Sequence, residues 1–191
     1  MDAAPRATRH EAASPGGWAW RLQLLGGLQA GNGRQQITRL PSRAVAALLA
    51  RLALWPERTH AREELVELLW PGVELAVGRN RLRQALSTLK SLLDSPDQPP
   101  VLLADRLGVR VAPGALHCDV HDFESACRAG RYDEAAACYR GELLPGFYDT
   151  WIDEERLRLA ALADHATQRA PQPAAPTPQL PRRGEAIVAS G

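Results

Sequence analysis

Trp18, Trp20, Leu22 and Leu24 alternate with Arg21 and Gln23, the two-residue period of a half-buried strand. The following GGLQAGNGRQQITRLP supplies a Gly-Asn-Gly turn and a further short strand over residues 35–40, so this front segment predicts a small antiparallel sheet. From Ser42 the period lengthens. Val45, Leu48, Leu49, Leu52 and Ala53 recur at helical spacing, Ser42 is placed to cap the start, and Trp55-Pro56 ends the run. THAREELVELLW repeats the pattern, opened by Thr59 or His60, with Glu63 and Glu64 in the first turn where the helix dipole favours them. Its apolar face is Leu65, Leu68 and Leu69, and Pro71-Gly72 is the stop. A third helix is expected from about Leu75 to Leu93, broken by SPDQPP. VLLA, DRLG and VRV then read as two short strands around a turn, with Gly108 free to adopt positive φ and Arg106 at or near the tip.

From Asp119 the pattern is helical throughout. Phe123 and Cys127 begin one face, and GRYDEAAACY predicts a short helix with Tyr132, Ala135, Ala136 and Tyr139 on one side. RGELLPGF turns the chain into a long helix with Ile152, Leu159, Leu162 or Ala163, and Ala166 inward. A helical hairpin followed by one helix is the start of a helical-repeat, TPR-like array. Residues 1–17, rich in Ala, Pro, Gly and Ser, read as a disordered leader, and residues 170–191 as a Pro-rich disordered tail or linker. The chain therefore divides into a mixed α+β unit over 18–113 and an all-α unit over 119–169.

Charge sharpens that division. The net charge of the 191 residues is only +1, but residues 1–118 carry 15 basic and 10 acidic side chains, whereas residues 119–164 carry 5 and 11. A basic front and an acidic second segment imply two surfaces with different partners. Cys118, Cys127 and Cys138 are too few and too scattered for a disulfide scaffold, and read as half-buried thiols in a reducing compartment. No stretch has the run of apolar residues that a membrane span needs, and the N-terminus lacks a signal-peptide core, so the expected location is the cytoplasm. No catalytic constellation is present. His117 and His121 stand at an i,i+4 spacing without further ligands, which argues for surface or linker histidines over a metal site. Gly26-Gly27 and Gly31-x-Gly33 lack the helix that a phosphate loop requires, so neither cofactor nor enzymatic activity is expected.

The basic excess concentrates in GRNRLRQALSTLK, residues 78–90, with four cations and no acid. On a wheel of about 100° per residue, Leu75, Leu82, Leu86, Leu89 and Leu93 fall in one arc. The opposite side carries Asn80, Gln84 and Ser87, with Arg81 and Thr88 on one shoulder and Arg79, Arg83 and Lys90 towards the other. Long cations flanking an amide and hydroxyl centre suit a DNA major groove, where cations reach phosphates and Asn, Gln or Arg pair with base edges. A merely solvated helix would more often mix Glu with Lys at i,i+4. With a shorter helix before it and an arginine-tipped hairpin after it, this helix occupies the recognition position of a winged helix-turn-helix. The candidate site is thus Arg79, Asn80, Arg81, Arg83, Gln84, Ser87, Thr88 and Lys90 on the helix, and Arg106 on the wing.

The segments LQLLGGLQA, REELVELLWPG, GRNRLRQALSTLKSLL, DVHDFESA and YRGELLPGFYDTWIDEERLRL, in this order, resemble the antibiotic-regulatory-protein (SARP) class of bacterial transcriptional activators. That class joins a winged helix-turn-helix of the response-regulator output type to a helical bacterial transcriptional activator domain (BTAD). The resemblance covers about residues 18–169. It implies binding of double-stranded DNA at promoter direct repeats by two protomers, recruitment of RNA polymerase through its sigma subunit, and a nucleoid-associated location. It places the recognition helix at 78–93 and the wing at 101–111, with Trp70, Trp151 and the LLPGF run as packing positions. Lys90 stands where the class more often has arginine, which keeps a phosphate contact but weakens bidentate recognition. Members usually continue with more helices than this chain shows. The rival reading is that the acidic helical segment is the working part, a protein-interaction module of a larger signalling regulator with little DNA binding of its own.

Overall fold

The computed structural model describes residues 19–170; the expected leader, Trp18 and the tail from 171 lie outside them. The order is β1 (Trp20–Gln23), β2 (Gln29–Gly31), β3 (Gln36–Ile37), α1 (Arg43–Leu54), β4 (His60–Ala61), α2 (Arg62–Leu69) and α3 (Leu75–Leu93). Then follow β5 (Leu102–Ala104), β6 (Gly108–Val111), β7 (Leu116–Cys118), α4 (Asp119–Arg128), α5 (Tyr132–Cys138) and α6 (Thr150–Arg169). Two small sheets form. One has the order β3-β2-β1-β7 and the other β4-β6-β5.

In the first sheet β1, β2 and β3 pair antiparallel, as the alternation predicts. The alternation does not reveal β7, which joins β1 in parallel, pairing Trp20 with Leu116 and Leu22 with Cys118. Parallel neighbours need a long crossover. Here that crossover is the whole stretch containing α1 to α3 and the second sheet. Trp20 and Leu22 face the core, and the Trp20 indole donates to the Leu93 carbonyl at 3.0 Å, tying the sheet to the end of α3.

α1 is the central element: nine of its twelve residues are buried, so it is wrapped on nearly all sides and is not a one-faced surface helix. The Ser42 hydroxyl accepts from the Val45 N–H at 3.2 Å, the cap expected for this start. Thr59 and His60 do not open α2. His60–Ala61 instead pairs with β6, and α2 begins at Arg62. His60 is fully buried and neither ring nitrogen has a hydrogen-bond partner among the described residues. Burial holds its pKa below the ordinary histidine value. Gly108 is another correction. It does not take positive φ; it is glycine because a Cβ there would stand 2.7 Å from Thr59 Cγ2 and 2.9 Å from the His60 carbonyl oxygen, where β4 crosses β6.

The helices after Asp119 share one core with the front of the chain. Leu24, Leu25, Phe123, Leu143, Leu144 and Ile152 belong to a single buried cluster. The Asp119 carboxylate accepts the Leu24 and Leu25 N–H groups at 2.9 and 3.1 Å, although burial still holds its carboxyl above the ordinary range. Arg51 forms a second joint. Its guanidinium lies 3.9 Å over Trp55 and 5.4 Å from Trp151, and pairs with Glu64 at 3.3 Å. Ala136 is exposed, unlike its expected place on the packed side of α5: the side of that short helix that meets the core is Ala135, fully buried, with Tyr132 and Cys138 packed beside it. Cys118 is buried, which pushes its thiol up to about 12. Among the described residues no helix is long and apolar enough to cross a membrane.

Candidate nucleic-acid interface

α3 is held by Leu82, Ala85, Leu86, Leu89 and Leu93, all buried. Leu75, expected in the same arc, is 43% exposed: its angle is right, but it stands in the first turn, beyond the end of the core. Residues 75–77 at the start of α3 are thus exposed, and the helix first packs against the body at Gly78. α2 and α3 meet at Gly78, which is buried although it lies within the basic strip. A Cβ on Gly78 would sit 2.2 Å from Val66 Cγ1 of α2, a stiff β-branched side chain in the core. In an open helix, Gly→Ala gains up to about 1 kcal/mol. Here the sign reverses: Gly78→Ala is expected to cost about 1–3 kcal/mol by overpacking, read as a lower urea midpoint at unchanged slope. A variant as stable as the parent would show that the two helices separate freely.

Arg79, Asn80, Arg81, Arg83, Gln84 and Ser87 are exposed on the outer side of α3, and Thr88 and Lys90 are half-buried. Their local partners differ. Arg79 forks onto Glu63 of α2 at 2.8 and 3.2 Å, which holds the Glu63 carboxyl below its ordinary range. Arg83 donates to the Asn80 side-chain oxygen, and the Thr88 hydroxyl donates to the Gln84 carbonyl at 3.0 Å. Among the described residues, the side chains of Arg81, Gln84 and Ser87 have no hydrogen-bond or ion-pair partner. Gln84, Ser87, Thr88 and Ser91 line one shallow hollow on this surface.

Lys90 is separated from that group. It lines a groove of about 390 Å³ between the end of α3 and the β5–β6 hairpin, together with Thr59, Leu103 and Arg110. Arg106 is at the exposed hairpin tip, shaped by Asp105, whose carboxylate accepts the Leu107 and Gly108 N–H groups at 2.8 and 2.9 Å. Those two donors hold the Asp105 carboxyl below its ordinary range. Arg62 Nε donates to the Asp105 carbonyl at 2.7 Å, fixing the tip to the start of α2. The expected residues thus fall into a helix-face group and a hairpin group, bridged by Lys90.

Three residues escaped the sequence reading. Arg110 is exposed between buried Val109 and Val111, so the alternation in VRV already marked it as outward. Arg62 carried no such mark, because its role depends on where the hairpin folds back. Val77 is 41% exposed in the first turn, on the same side as Asn80 and Gln84, and its wheel angle could have found it. His117 and His121 diverge: His117 Nε2 lies 2.8 Å from Asp122 and His121 Nε2 3.1 Å from the Leu54 carbonyl oxygen.

Neither a family model nor a curated sequence matches the chain. Among solved structures it is similar to Mycobacterium tuberculosis EmbR in complex with a low-affinity phosphopeptide, with a TM-score of 0.63 and 23% identity. The match covers 78% of this chain and 43% of that one, so the chain spans less than half of EmbR's length. The likeness establishes a shared fold.

Proposed function

We propose that the protein is a transcription regulator that reads double-stranded DNA through α3, with the β5–β6 hairpin as a wing over the adjacent backbone. The observation that carries this reading is the outer face of α3. Its side chains Arg81, Gln84 and Ser87 are exposed, have no internal partners among the described residues, and lie along the solvent side of a helix whose other side is anchored by Leu82, Leu86 and Leu89. A helix of this length spans about 28 Å, enough to lie along a major groove. Arg79 and Lys90 serve phosphates, Arg106 and Arg110 extend the cationic surface along the wing, and Val77 offers a methyl-sized contact to thymine. The sequence resemblance to SARP-class activators and the fold shared with EmbR support the same reading. By that resemblance two protomers bind direct repeats in the cytoplasmic nucleoid and recruit RNA polymerase through its sigma subunit.

The rival, an interaction module working through free acidic surface, is less favoured by the ion pairs. Glu124, Glu134, Glu142, Asp153 and Glu155 are bound by Arg131, Arg156 and Arg158 within the helical segment itself.

Selection of duplexes from a random pool should return one recurrent motif, and binding to it should fall steeply with salt as phosphate counterions are released. Arg81→Ala or Gln84→Ala should weaken specific binding by about 1–3 kcal/mol without shifting the thermal midpoint. Failure to enrich any duplex, or affinity independent of salt, would remove the DNA reading.

A further inference from the structure

We infer that the outward face of the first sheet is a binding site for a compact, phosphate-bearing small molecule. Along β1, Trp20 and Leu22 point into the core, which leaves Arg21 and Gln23 on the opposite face, away from α1 and α3. Strand register then aligns Gln36, Gly31, Arg21 and His117 in one row across β3, β2, β1 and β7. Gly31 beside Arg21 has no side chain, so the row is open at its centre. This sheet forms the floor of a cavity of about 790 Å³, bounded by the β2–β3 turn and by α4 and α5.

The charges in the cavity are unequal in availability. Its two carboxylates are engaged: Asp119 accepts the Leu24 and Leu25 N–H groups, and Asp122 holds His117 at 2.8 Å. Its three arginines, Arg21 from the floor, Arg34 from the turn and Arg140 from the end of α5, have no carboxylate partner among the described residues. Arg43, Arg51, Arg58, Arg79, Arg131, Arg156 and Arg158 are ion-paired, whereas other guanidinium groups, Arg81 on α3 and Arg106 on the hairpin among them, are without a carboxylate; Arg21, Arg34 and Arg140 differ from these in lining one cavity from three separate elements. Arg140 is also steered over the sheet, donating to the Gln23 side-chain oxygen at 3.4 Å.

Guanidinium forks match phosphate oxygens, and the neighbouring glutamine amides add neutral donors. No Trp, Tyr or Phe lines the cavity, so it has nothing on which a nucleobase would stack. Cations supplied from three sides surround a compact polyanion, whereas an extended acidic peptide would need them in a line. The ligand is therefore a small molecule with two or more clustered phosphates, bound on the face of the sheet remote from α3.

The test is calorimetric titration of the full chain with inorganic tripolyphosphate, in parallel with a tetraglutamate peptide. Saturable one-to-one binding of tripolyphosphate is expected. Arg21→Gln and Arg34→Gln should each weaken it about tenfold or more, and Arg128→Gln, on α4 outside the cavity, should leave it unchanged. Arg34 lies in an exposed turn held by main-chain contacts to Asn32, so its variant keeps the fold even if Arg21→Gln does not. No saturable binding up to about 10 mM would overturn the site. Loss of binding in Arg81→Gln instead of the cavity variants would transfer it to α3, and tighter binding of tetraglutamate would overturn the ligand class.

Discussion

Leu86→Ala is expected to destabilise the protein by about 2–5 kcal/mol, while Ser87→Ala, one residue further on, stays within about 0.5 kcal/mol of the parent. Leu86 is 4% exposed and packs with Leu82, Leu89 and Leu93 in the face that fixes α3 to the body. Truncation removes three methyl-sized groups, and neighbours such as the fully buried Leu82 and Leu89 already have their own packing and cannot collapse into the space. Ser87 points the other way and has nothing to lose but solvent. Urea denaturation of both variants reads the rotational phase of α3 directly. If Leu86→Ala kept the parental midpoint, the leucine face would not be the anchored one, and Arg81 and Gln84 would lose their claim to the free side.

That phase was legible in the sequence because it is local: four leucines at helical spacing settle which side is inward without reference to anything distant. The Ser42 cap and the strand alternation around Arg21 were legible for the same reason. What failed was set by contacts far along the chain. β7 is only three residues long, and its partner β1 lies about a hundred residues earlier, so neither its length nor its period marks it. His60 looked like a helix start because it precedes an acidic first turn, yet pairing with β6 makes it a buried strand residue. Gly108 has the sequence context of a turn glycine, although the constraint is the approach of Thr59 and His60 from another element. At the candidate site, the wheel placed the side chains on the correct side but could not foresee that Glu63 would engage Arg79, or that the hairpin would draw Lys90 and Arg110 into a groove of their own.

The largest effect outside the leucine core should come from Arg156. Its guanidinium donates to three main-chain carbonyls, Leu143 at 3.1 Å, Leu144 at 3.0 Å and Phe147 at 2.9 Å, and also binds the Asp153 and Glu142 carboxylates. The turn it holds is unfavourable on its own. Leu144 has φ 46°, a left-handed conformation that a branched side chain adopts only at a cost of about 1–3 kcal/mol. Leu143 and Leu144 are nevertheless fully buried, and the same turn bonds back to the front of the chain through Leu144 N–H to Leu24 and Gly26 N–H to Glu142. Arg156 therefore supports the joint by which α6 reaches the first sheet. Arg156→Ala removes a donor from all three carbonyls, of which Leu144 keeps the Phe147 N–H, and releases the strained turn, for an expected loss of about 2–5 kcal/mol. Arg156→Lys retains the charge but presents one compact ammonium where a planar fork met acceptors in several directions, so it should recover only part of the loss. Full recovery in the lysine variant, measured by urea denaturation, would show that charge alone holds the turn. Partial recovery would assign the joint to the geometry of the guanidinium.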